Sequence, residues 1–487
     1  MTKQKKATIR RVCAMLLAVA VLGILPVKDV WAVTSSGAIA QGIDVSKHNG
    51  AVNWGKVASS GMKFTFIKVG STKSGVDPQF AANITGAQAA GLKTGVYLYS
   101  YAVTPEQAAV EANLVLQWIE PYVVNYPIVF DIEDSCHKNL PEQQLINIIN
   151  AFCTVIDAAG YYPMVYSNKN MFVGKMSIVG WDKWVAQYND KCEYDNNVCF
   201  WQYSSSGNVN GVSGRVDMNY QYKDYSQLII PEGFVGHNGS TRFYSNWKMQ
   251  KGWVDYNNTR YYLDGAGNLV TGWFTDATGN TYYLSPADGS IARGQCPIDG
   301  GDYYFTAEGV KTMGWVDINN ARYYYDPAAN GTMKREWLSD QAGNNYYFDK
   351  ADGHMLTGAQ AIDGANYLFS PDGIRMAGMV PREDGSSYYY DPATGRMVTG
   401  WFETEGKTCY ADEAGRVVTG IYEVDGQPRY FDETGAMARN QVLELNGVTY
   451  NASAEGILAQ VVEEAPAPEA APAPEAPAQA APAQPAA

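Results

Sequence analysis

Residues 126–134 read Tyr126-Pro127-Ile128-Val129-Phe130-Asp131-Ile132-Glu133-Asp134, an apolar run that ends in three carboxylates. The run predicts a buried β-strand. Side chains alternate along a strand, so Asp131 and Glu133 fall on one face, about 7 Å apart. Repulsion between the two charges and desolvation push at least one pKa upward, which suits a general acid near neutral pH. The pair is therefore the candidate catalytic centre, and a solvated strand end is the alternative.

The pattern around this stretch predicts the fold of residues 41–229. Short apolar runs predict eight strands, at residues 42–46, 64–70, 94–101, 127–134, 163–168, 184–188, 200–204 and 216–220. Helical patterns, with Thr104 as a predicted N-cap, cover residues 78–90, 105–119 and 141–159. The connections between the last three strands are too short for helices. The predicted fold class is an α/β barrel of the TIM-like type with incomplete helices in its second half.

Reacting groups in such barrels sit at the carboxyl ends of the strands, so acidic residues at these ends are candidates. Asp44 ends the first strand, Asp131 and Glu133 end the fourth, and Asp217 lies in the last. We expect the four side chains to meet at one mouth. A salt bridge to Arg215 is the structural alternative for Asp217.

Several segments of this region occur in the same order as the motifs of one protein family. They are Gly42-Ile43-Asp44-Val45-Ser46, Phe66-Ile67-Lys68, Gly95-Val96-Tyr97-Leu98-Tyr99, Asp131-Ile132-Glu133, Trp184-Val185-Ala186-Gln187-Tyr188, Trp201-Gln202-Tyr203-Ser204-Ser205 and Val216-Asp217-Met218-Asn219. Together, over about 190 residues, the segments resemble glycoside hydrolase family 25, the secreted lysozymes or N-acetylmuramidases. The ordered set is far more specific than any single motif.

The resemblance implies hydrolysis of the β-1,4 bond between N-acetylmuramic acid and N-acetylglucosamine in peptidoglycan. Carried over by position, Glu133 is the general acid, Asp131 steers the 2-acetamido group, and Asp44 and Asp217 complete an acidic floor. The group that attacks the sugar stays open: it is either the acetamido oxygen of the substrate itself or a carboxylate of the protein. Candidate substrate-binding residues near the strand ends are Tyr99, Tyr166, Gln202, Trp184 and Lys68.

The N-terminus has the pattern of an export signal. Five basic residues precede an apolar run over residues 12–27, and Val30-Trp31-Ala32 resembles a cleavage site, so residues 1–32 are predicted to be a signal peptide. The alternative is that this segment stays uncleaved as a membrane anchor. After cleavage, we expect no stable insertion of the chain in a membrane. Loss of six basic groups and one acid changes the net charge from −14 to −19. An acidic chain without basic patches argues against nucleic-acid binding.

Cysteine and histidine usage argues against a metal site. Six cysteines remain after residue 32, and none has metal-ligand spacing with the four histidines of the chain. The sequence therefore predicts no metal and no cofactor. Export permits disulfides, and Cys192 with Cys199 is the most plausible local pair, although connectivity stays open.

After residue 242 the chain becomes repetitive. Tyrosine-containing motifs recur every 20 to 23 residues, separated by Asp-Gly or Gly-Asn turns and Gly-Trp dipeptides. Each repeat predicts one β-hairpin that is too small to bury its aromatic face alone, so the fold class of residues 243–458 is an all-β hairpin-repeat solenoid. The repeats resemble cell-wall-binding repeats of the choline-binding type.

Aromatic residues at the seams between hairpins predict a ligand site, since a cage of rings attracts a quaternary ammonium. The candidates are Trp253, Trp273, Trp315, Tyr262 and Tyr283. Choline-binding repeats usually carry Trp before the tyrosine pair, whereas this chain has Arg260, Thr281, Asp302, Arg322 or Asn345. A choline-like ligand and a glycan are therefore both open.

The complete prediction is a secreted, cell-wall-associated muramidase. Its predicted parts are a signal peptide (1–32), a linker (33–40), the barrel (41–229), a second linker (230–242), the repeats (243–458) and a Pro/Ala-rich disordered tail (459–487). Its predicted partners are peptidoglycan and a wall polymer. The rival hypotheses are an amino-sugar glycosidase of other specificity and a non-catalytic wall-binding protein.

Overall fold

The structure, a computed structural model, describes residues 32–462. Nearly all of the predicted signal peptide and tail therefore lies outside the described residues. The chain divides into two compact units between Ala292 and Arg293. None of the helices in the described range is long and apolar enough to span a membrane.

The N-terminal region contains an eight-strand barrel, as the sequence predicts. The strands of this region are β1 Val33–Thr34, β2 Ala40–Val45, β3 Phe64–Ser71, β4 Gly75–Val76, β5 Lys93–Tyr99, β6 Ile128–Asp131, β7 Pro163–Asn168, β8 Asp182–Ala186, β9 Lys191–Cys192, β10 Val198–Gly207 and β11 Val216–Gln221. The main sheet runs β2-β11-β10-β8-β7-β6-β5-β3, and pairing of β2 with β3 closes it. All neighbours are parallel except β11, which is antiparallel to both β10 and β2.

Helices cover mainly the first half of the barrel. Within residues 32–462 there are five: α1 Trp54–Ser59, α2 Phe80–Ala89, α3 Pro105–Ile119, α4 Glu142–Ala158 and α5 Lys169–Lys175. The three predicted helices are confirmed to within two residues, and the Thr104 side chain accepts a hydrogen bond from the Gln107 amide as the predicted N-cap. The sequence analysis missed α1 and α5, which are too short to show a helical period.

Alternate strand residues fill the barrel interior. Phe66 stacks on Trp184 with ring centroids 4.6 Å apart, and Phe200 packs edge-on against Phe66 at 5.0 Å. Every second residue of a strand shares a face, so Lys68 follows Phe66 on the inside of β3, and Asp131 follows Val129 on the inside of β6. The aromatic layer therefore forms a floor, with polar side chains above it at the carboxyl ends of the strands.

Paired backbone occurs in both of the segments that the sequence assigns to linkers. In residues 33–40, β1 pairs with β9. In residues 230–242, strands β12 Glu232–His237 and β13 Ser240–Ser245 form a hairpin, which β14 Lys248–Met249 extends. This sheet is fixed to the end of α4: Arg242 donates to the Asp157 carbonyl at 2.9 Å, and the Tyr244 hydroxyl donates to the Gly160 carbonyl at 3.0 Å.

The predicted hairpin repeats are confirmed. Their strands are β15 Gly252–Tyr256, β16 Thr259–Leu263, β17 Gly272–Thr275, β18 Thr281–Leu284, β19 Gly294–Ile298, β20 Gly301–Phe305, β21 Lys311–Thr312, β22 Gly314–Ile318, β23 Ala321–Asp326, β24 Thr332–Met333, β25 Glu336–Ser339, β26 Asn345–Phe348, β27 Gly358–Ile362, β28 Ala365–Phe369, β29 Gly378–Pro381, β30 Ser387–Tyr390, β31 Gly400–Thr404, β32 Lys407–Ala411, β33 Gly420–Val424, β34 Gln427–Phe431, β35 Gln441–Leu445, β36 Val448–Ala452 and β37 Leu458–Gln460. Turns such as Asn257-Asn258, with φ of 50° and 62°, match the twist of a tight hairpin.

Candidate active site

The four predicted acids meet at the barrel mouth. Asp44, Asp131, Glu133 and Asp217 line one pocket of about 380 Å³. All five predicted substrate-binding residues line it as well: Lys68, Tyr99, Tyr166, Trp184 and Gln202. Further lining residues were not predicted: Tyr97 within β5, and Ser46, His48, Asn49, Tyr188 and Arg215 in the segments between strands.

The end of β6 positions the central pair. Asp131 is the last strand residue and lies in register with Tyr99 on β5 and Tyr166 on β7. Beyond it the Ile132 amide still donates to the Tyr166 carbonyl at 3.0 Å, so the backbone stays extended for one more residue. Glu133 consequently faces the same pocket as Asp131, which confirms the predicted alternation.

Burial dominates the electrostatics of this pair. It raises the pKa of Asp131 well above its usual range, and the Glu133 charge raises it further. Burial also raises the pKa of Glu133, while the Lys68 ammonium opposes that rise. Glu133 is only partly buried, so it combines a raised pKa with access to the pocket.

One oxygen of Asp131 is without a hydrogen-bond partner among the described residues. Asp131 is 3% exposed, and its Oδ1 accepts no hydrogen bond from them. Leaving a buried acceptor unpaired costs about 1–3 kcal/mol. This acceptor is available to an N–H donor of a bound ligand.

Lys68 is a positively charged residue in the pocket wall. Its ammonium lies 4.6 Å from the Tyr99 ring centroid, within the range of a cation–π interaction. Burial lowers the pKa of Lys68, whereas the charges of Asp131 and Asp77 raise it. The residue therefore offers both a charge that acts on Glu133 and a hydrogen-bond donor.

Asp44 and Asp217 form a second acidic pair across the antiparallel strands β2 and β11, where they are direct partners. Asp44 Oδ2 accepts hydrogen bonds from Gln202 Nε2 at 2.9 Å and from Asn219 Nδ2 at 2.8 Å. Burial, with the nearby Asp217 charge, raises the pKa of Asp44 to about 8. Burial raises the pKa of Asp217 too. Within residues 32–462 Asp217 makes no ion pair with Arg215, so the structural alternative does not hold.

Two buried amides connect Asp44 to the aromatic wall. Gln202 Oε1 accepts from the Tyr166 hydroxyl at 2.9 Å and from the Tyr188 hydroxyl at 3.0 Å. Asn219 Oδ1 accepts from Trp184 Nε1 at 2.7 Å. Asn219 was not among the predicted site residues, although its position two residues after Asp217 in the same strand places it on the same face.

Replacing Asp44 by asparagine is expected to stabilise the barrel at alkaline pH. The folded-state pKa of about 8 lies above the ordinary value of 3.8, so stability is complete below the lower value and is lost as pH rises through the higher one. The asparagine side chain keeps an oxygen for both amides and carries no charge. At pH 8 the variant should unfold at a higher Tm than wild type, by about 2–4 °C for each kcal/mol of added stability. Near pH 4 the two proteins should have the same Tm. Identical Tm values at both pH values would contradict the burial of this charge.

Four of the five ligand candidates of the repeats form two cross-strand pairs, and the fifth, Trp315, lies opposite Tyr324. Trp253 lies opposite Tyr262 and Trp273 opposite Tyr283, each pair with ring centroids 5.0 Å apart. Trp273 and Trp315 are 40% and 42% exposed, so part of each indole faces solvent. Trp337, which pairs with Tyr347 at 4.9 Å, was missed because Glu336 stands where the other units have glycine.

Paired carboxylates in a pocket at the mouth of a barrel suit glycoside hydrolysis. Residues 43–212 match the model of Glycosyl hydrolases family 25. Residues 312–357, 356–402 and 398–442 match the choline-binding repeat. Residues 251–269 and 271–291 match a cell wall binding repeat.

Relatives share parts of this architecture. The chain is 30% identical over 167 residues to glucosyltransferase-S of Streptococcus mutans, covering 33% of this chain and 11% of the relative. It is 30% identical over 202 residues to lysozyme M1 of Streptomyces globisporus, covering 37% of this chain and 66% of the relative. The solved bacterial lysozyme from Streptomyces coelicolor is 28% identical, with a TM-score of 0.33, covering 39% of this chain and 94% of that one. The chain thus spans less than two thirds of the length of the two curated relatives.

Proposed function

We propose that the protein is a secreted lysozyme that hydrolyses the β-1,4 bond between N-acetylmuramic acid and N-acetylglucosamine in peptidoglycan. The observation that carries this proposal is the pair Asp131 and Glu133. Both lie at the end of β6 and face the pocket, and burial raises the pKa of each. We also propose that the barrel is of the TIM-like type and that the hairpin repeats stack into a solenoid. The match of residues 43–212 to the family 25 model supports the glycosidase class.

Glu133 supplies the proton in this mechanism. Its raised pKa keeps a protonated fraction near neutral pH, and transfer of that proton to the glycosidic oxygen lets the C1–O bond break with the leaving sugar as a neutral alcohol. The resulting Glu133 carboxylate then accepts a proton from the water that completes hydrolysis. One residue thus acts first as an acid and then as a base.

Asp131 orients the group that attacks C1. Its unpartnered Oδ1 accepts the N–H of the substrate's 2-acetamido group, whose carbonyl oxygen displaces the leaving group. Positive charge develops on the acetamido group in this step and favours the carboxylate form of Asp131. Asp44 and Asp217 line the same pocket, and the positive charge of the oxocarbenium-like transition state favours their ionised forms.

The repeats hold the enzyme at its substrate in this proposal. Their half-exposed tryptophans, Trp273 and Trp315 among them, bind a wall polymer, choline-like or glycan. Tethering raises the local concentration of wall strands at the barrel mouth without any change in the catalytic pocket.

Hydrolysis of purified Gram-positive peptidoglycan by residues 33–487 tests the proposed function. We expect the suspension to clear and reducing sugar ends to appear with time. A chain that binds these walls and releases no reducing ends would support the non-catalytic alternative and overturn the proposal.

Replacing Lys68 by methionine is expected to shift the pH profile of hydrolysis. The Lys68 ammonium lowers the pKa of Glu133, so its removal raises that pKa and moves the alkaline limb of kcat/KM to higher pH. Lys73, which lies 3.5 Å from the Tyr101 ring centroid, does not line the pocket, so Lys73→Met serves as the matched control. An unshifted limb in Lys68→Met, or an equal shift in both variants, would show that Lys68 does not tune the acid.

A further inference from the structure

Two repeats contain the same arrangement of tryptophan, arginine and aspartate, which we call the Trp-Arg-Asp unit. One unit consists of Trp253, Arg260 and Asp255, and the other of Trp315, Arg322 and Asp317. In each, the arginine and aspartate are direct cross-strand partners of one hairpin. The arginine guanidinium carbon lies 5.9 Å from the tryptophan ring in both units.

Each guanidinium is fixed by a two-point ion pair. Arg260 Nε and Nη2 donate to Asp255 Oδ1 and Oδ2 at 2.8 and 2.9 Å. Arg322 makes the same contacts with Asp317, at 2.7 and 3.1 Å. A bidentate pair fixes the orientation of the planar fork as well as its position. The repeated geometry indicates a built feature rather than a chance surface contact.

The tryptophans present platforms rather than enclosed cages. Trp253 packs edge-on against Tyr262 and Tyr282, at 5.0 and 4.8 Å. Trp315 contacts Tyr324 and Tyr346 in the same way, at 5.0 and 5.1 Å. Rings at these separations are in direct contact, so a ligand has to lie against the exposed part of the indole rather than between the rings. Trp315 is nevertheless 42% exposed, so part of its indole remains open to a ligand.

Each indole already has a cation beside it. A quaternary ammonium binds over an indole within about 6 Å of the ring centroid, and the guanidinium of each unit lies 5.9 Å from that centroid. Trp401, in another repeat, likewise has the Arg429 guanidinium 5.2 Å from its ring. A bound cation would therefore lie close to a tethered charge of the same sign, whereas an uncharged ligand meets no such repulsion.

We propose that the Trp-Arg-Asp units bind an uncharged polysaccharide, with a sugar ring stacked on the indole and hydroxyls bridging the ion pair. The guanidinium donates to sugar hydroxyl oxygens, and the carboxylate accepts from hydroxyl hydrogens. The charges of each pair cancel, so the unit favours neither a cation nor an anion. This inference rests on the proposed wall-binding function of the repeats and names the class of ligand they take.

Binding of residues 33–487 to immobilised neutral polysaccharides tests the inference, with an α-glucan, a β-glucan and a mannan as probes. We expect at least one to retain the chain, and an excess of free choline chloride not to elute it. Arg260→Gln/Arg322→Gln should weaken that binding at least tenfold. Arg416→Gln, which breaks an Asp412 ion pair of 2.9 Å in a repeat turn, is the matched control and should bind as wild type.

Three outcomes would overturn the inference: no probe retains the wild-type chain, free choline elutes it, or the double variant binds as tightly as the control. Unchanged thermal unfolding of the double variant separates lost binding from lost folding. Hydrolysis of soluble peptidoglycan fragments, which need no tether, is measured in parallel. Intact hydrolysis with failed polysaccharide binding rejects only the ligand class, whereas failed hydrolysis rejects the proposed activity.

Discussion

Glu133→Gln is expected to lower the rate of peptidoglycan hydrolysis by about three orders of magnitude, within the range for loss of a general acid. Glutamine has nearly the same shape and has no proton to give to the glycosidic oxygen. The sugar would then have to leave as an alkoxide. The initial rate of reducing-end release, at saturating and at limiting substrate, measures this effect.

Glu106→Gln is the matched control for that variant. Glu106 is exposed in the first turn of α3 and lies outside the pocket lining, so the same change of charge there should leave the rate unaltered. Binding of Glu133→Gln to intact walls should equal that of wild type, because the repeats are unchanged. A Glu133→Gln rate within tenfold of wild type would rule out Glu133 as the acid.

Asp131→Asn is expected to lower kcat by about two orders of magnitude with a much smaller change in KM. Asparagine keeps the Oδ1 acceptor and therefore much of the ground-state contact. It carries no negative charge to stabilise the acetamido group as that group becomes positive. Steady-state kinetics on soluble peptidoglycan fragments separates kcat from KM.

Asp190→Asn, in an exposed loop outside the pocket lining, provides the control for Asp131→Asn. It should leave both kinetic constants unchanged. If Asp131→Asn raised KM and left kcat intact, Asp131 would bind substrate equally in the ground and transition states, and its proposed role would be wrong.

Much of the barrel and its acidic mouth could be predicted from sequence because period-two apolar runs and strand-end carboxylates are local signals. The run ending in Asp131 and Glu133 is the clearest case: the strand, its burial and the shared face follow from one nonapeptide. Asp217 was found in the same way. The convergence of Asp44, Asp131 and Glu133 followed from the rule that parallel barrel strands point their carboxyl ends to one face. Asp217 reaches the same mouth for another reason: β11 is antiparallel, and Asp217 lies at its amino end.

The rest depends on contacts between distant residues. Asn219 belongs to the site because it bonds to both Asp44 and Trp184, which lie 175 and 35 residues before it in the chain. An isolated asparagine in a strand gives no sign of such contacts. Cys192 and Cys199 looked like a local disulfide, yet all six cysteines among the described residues are free thiols. Cys192 lies in β9, and Cys199 lies in β10.

Composition is a weak guide to backbone conformation in two places. Residues 230–242 have the composition of a linker, but Asn238 and Gly239, with φ of 45° and 79°, form the turn of the hairpin that packs on α4. Trp337 was not predicted because it lacks the preceding glycine of the Gly-Trp dipeptides. Glu336 nevertheless adopts a positive φ of 62°, as glycine does at that position in other repeats. Backbone conformation, rather than residue type, defines the repeat.

Mass spectrometry of the fragments that residues 33–487 release from purified Gram-positive peptidoglycan tests both the bond that is cut and the role of Glu133. We expect the new reducing ends to be N-acetylmuramic acid, and Glu133→Gln to release essentially none. New reducing ends of N-acetylglucosamine would contradict this expectation, because the acid would then serve a different glycosidic bond.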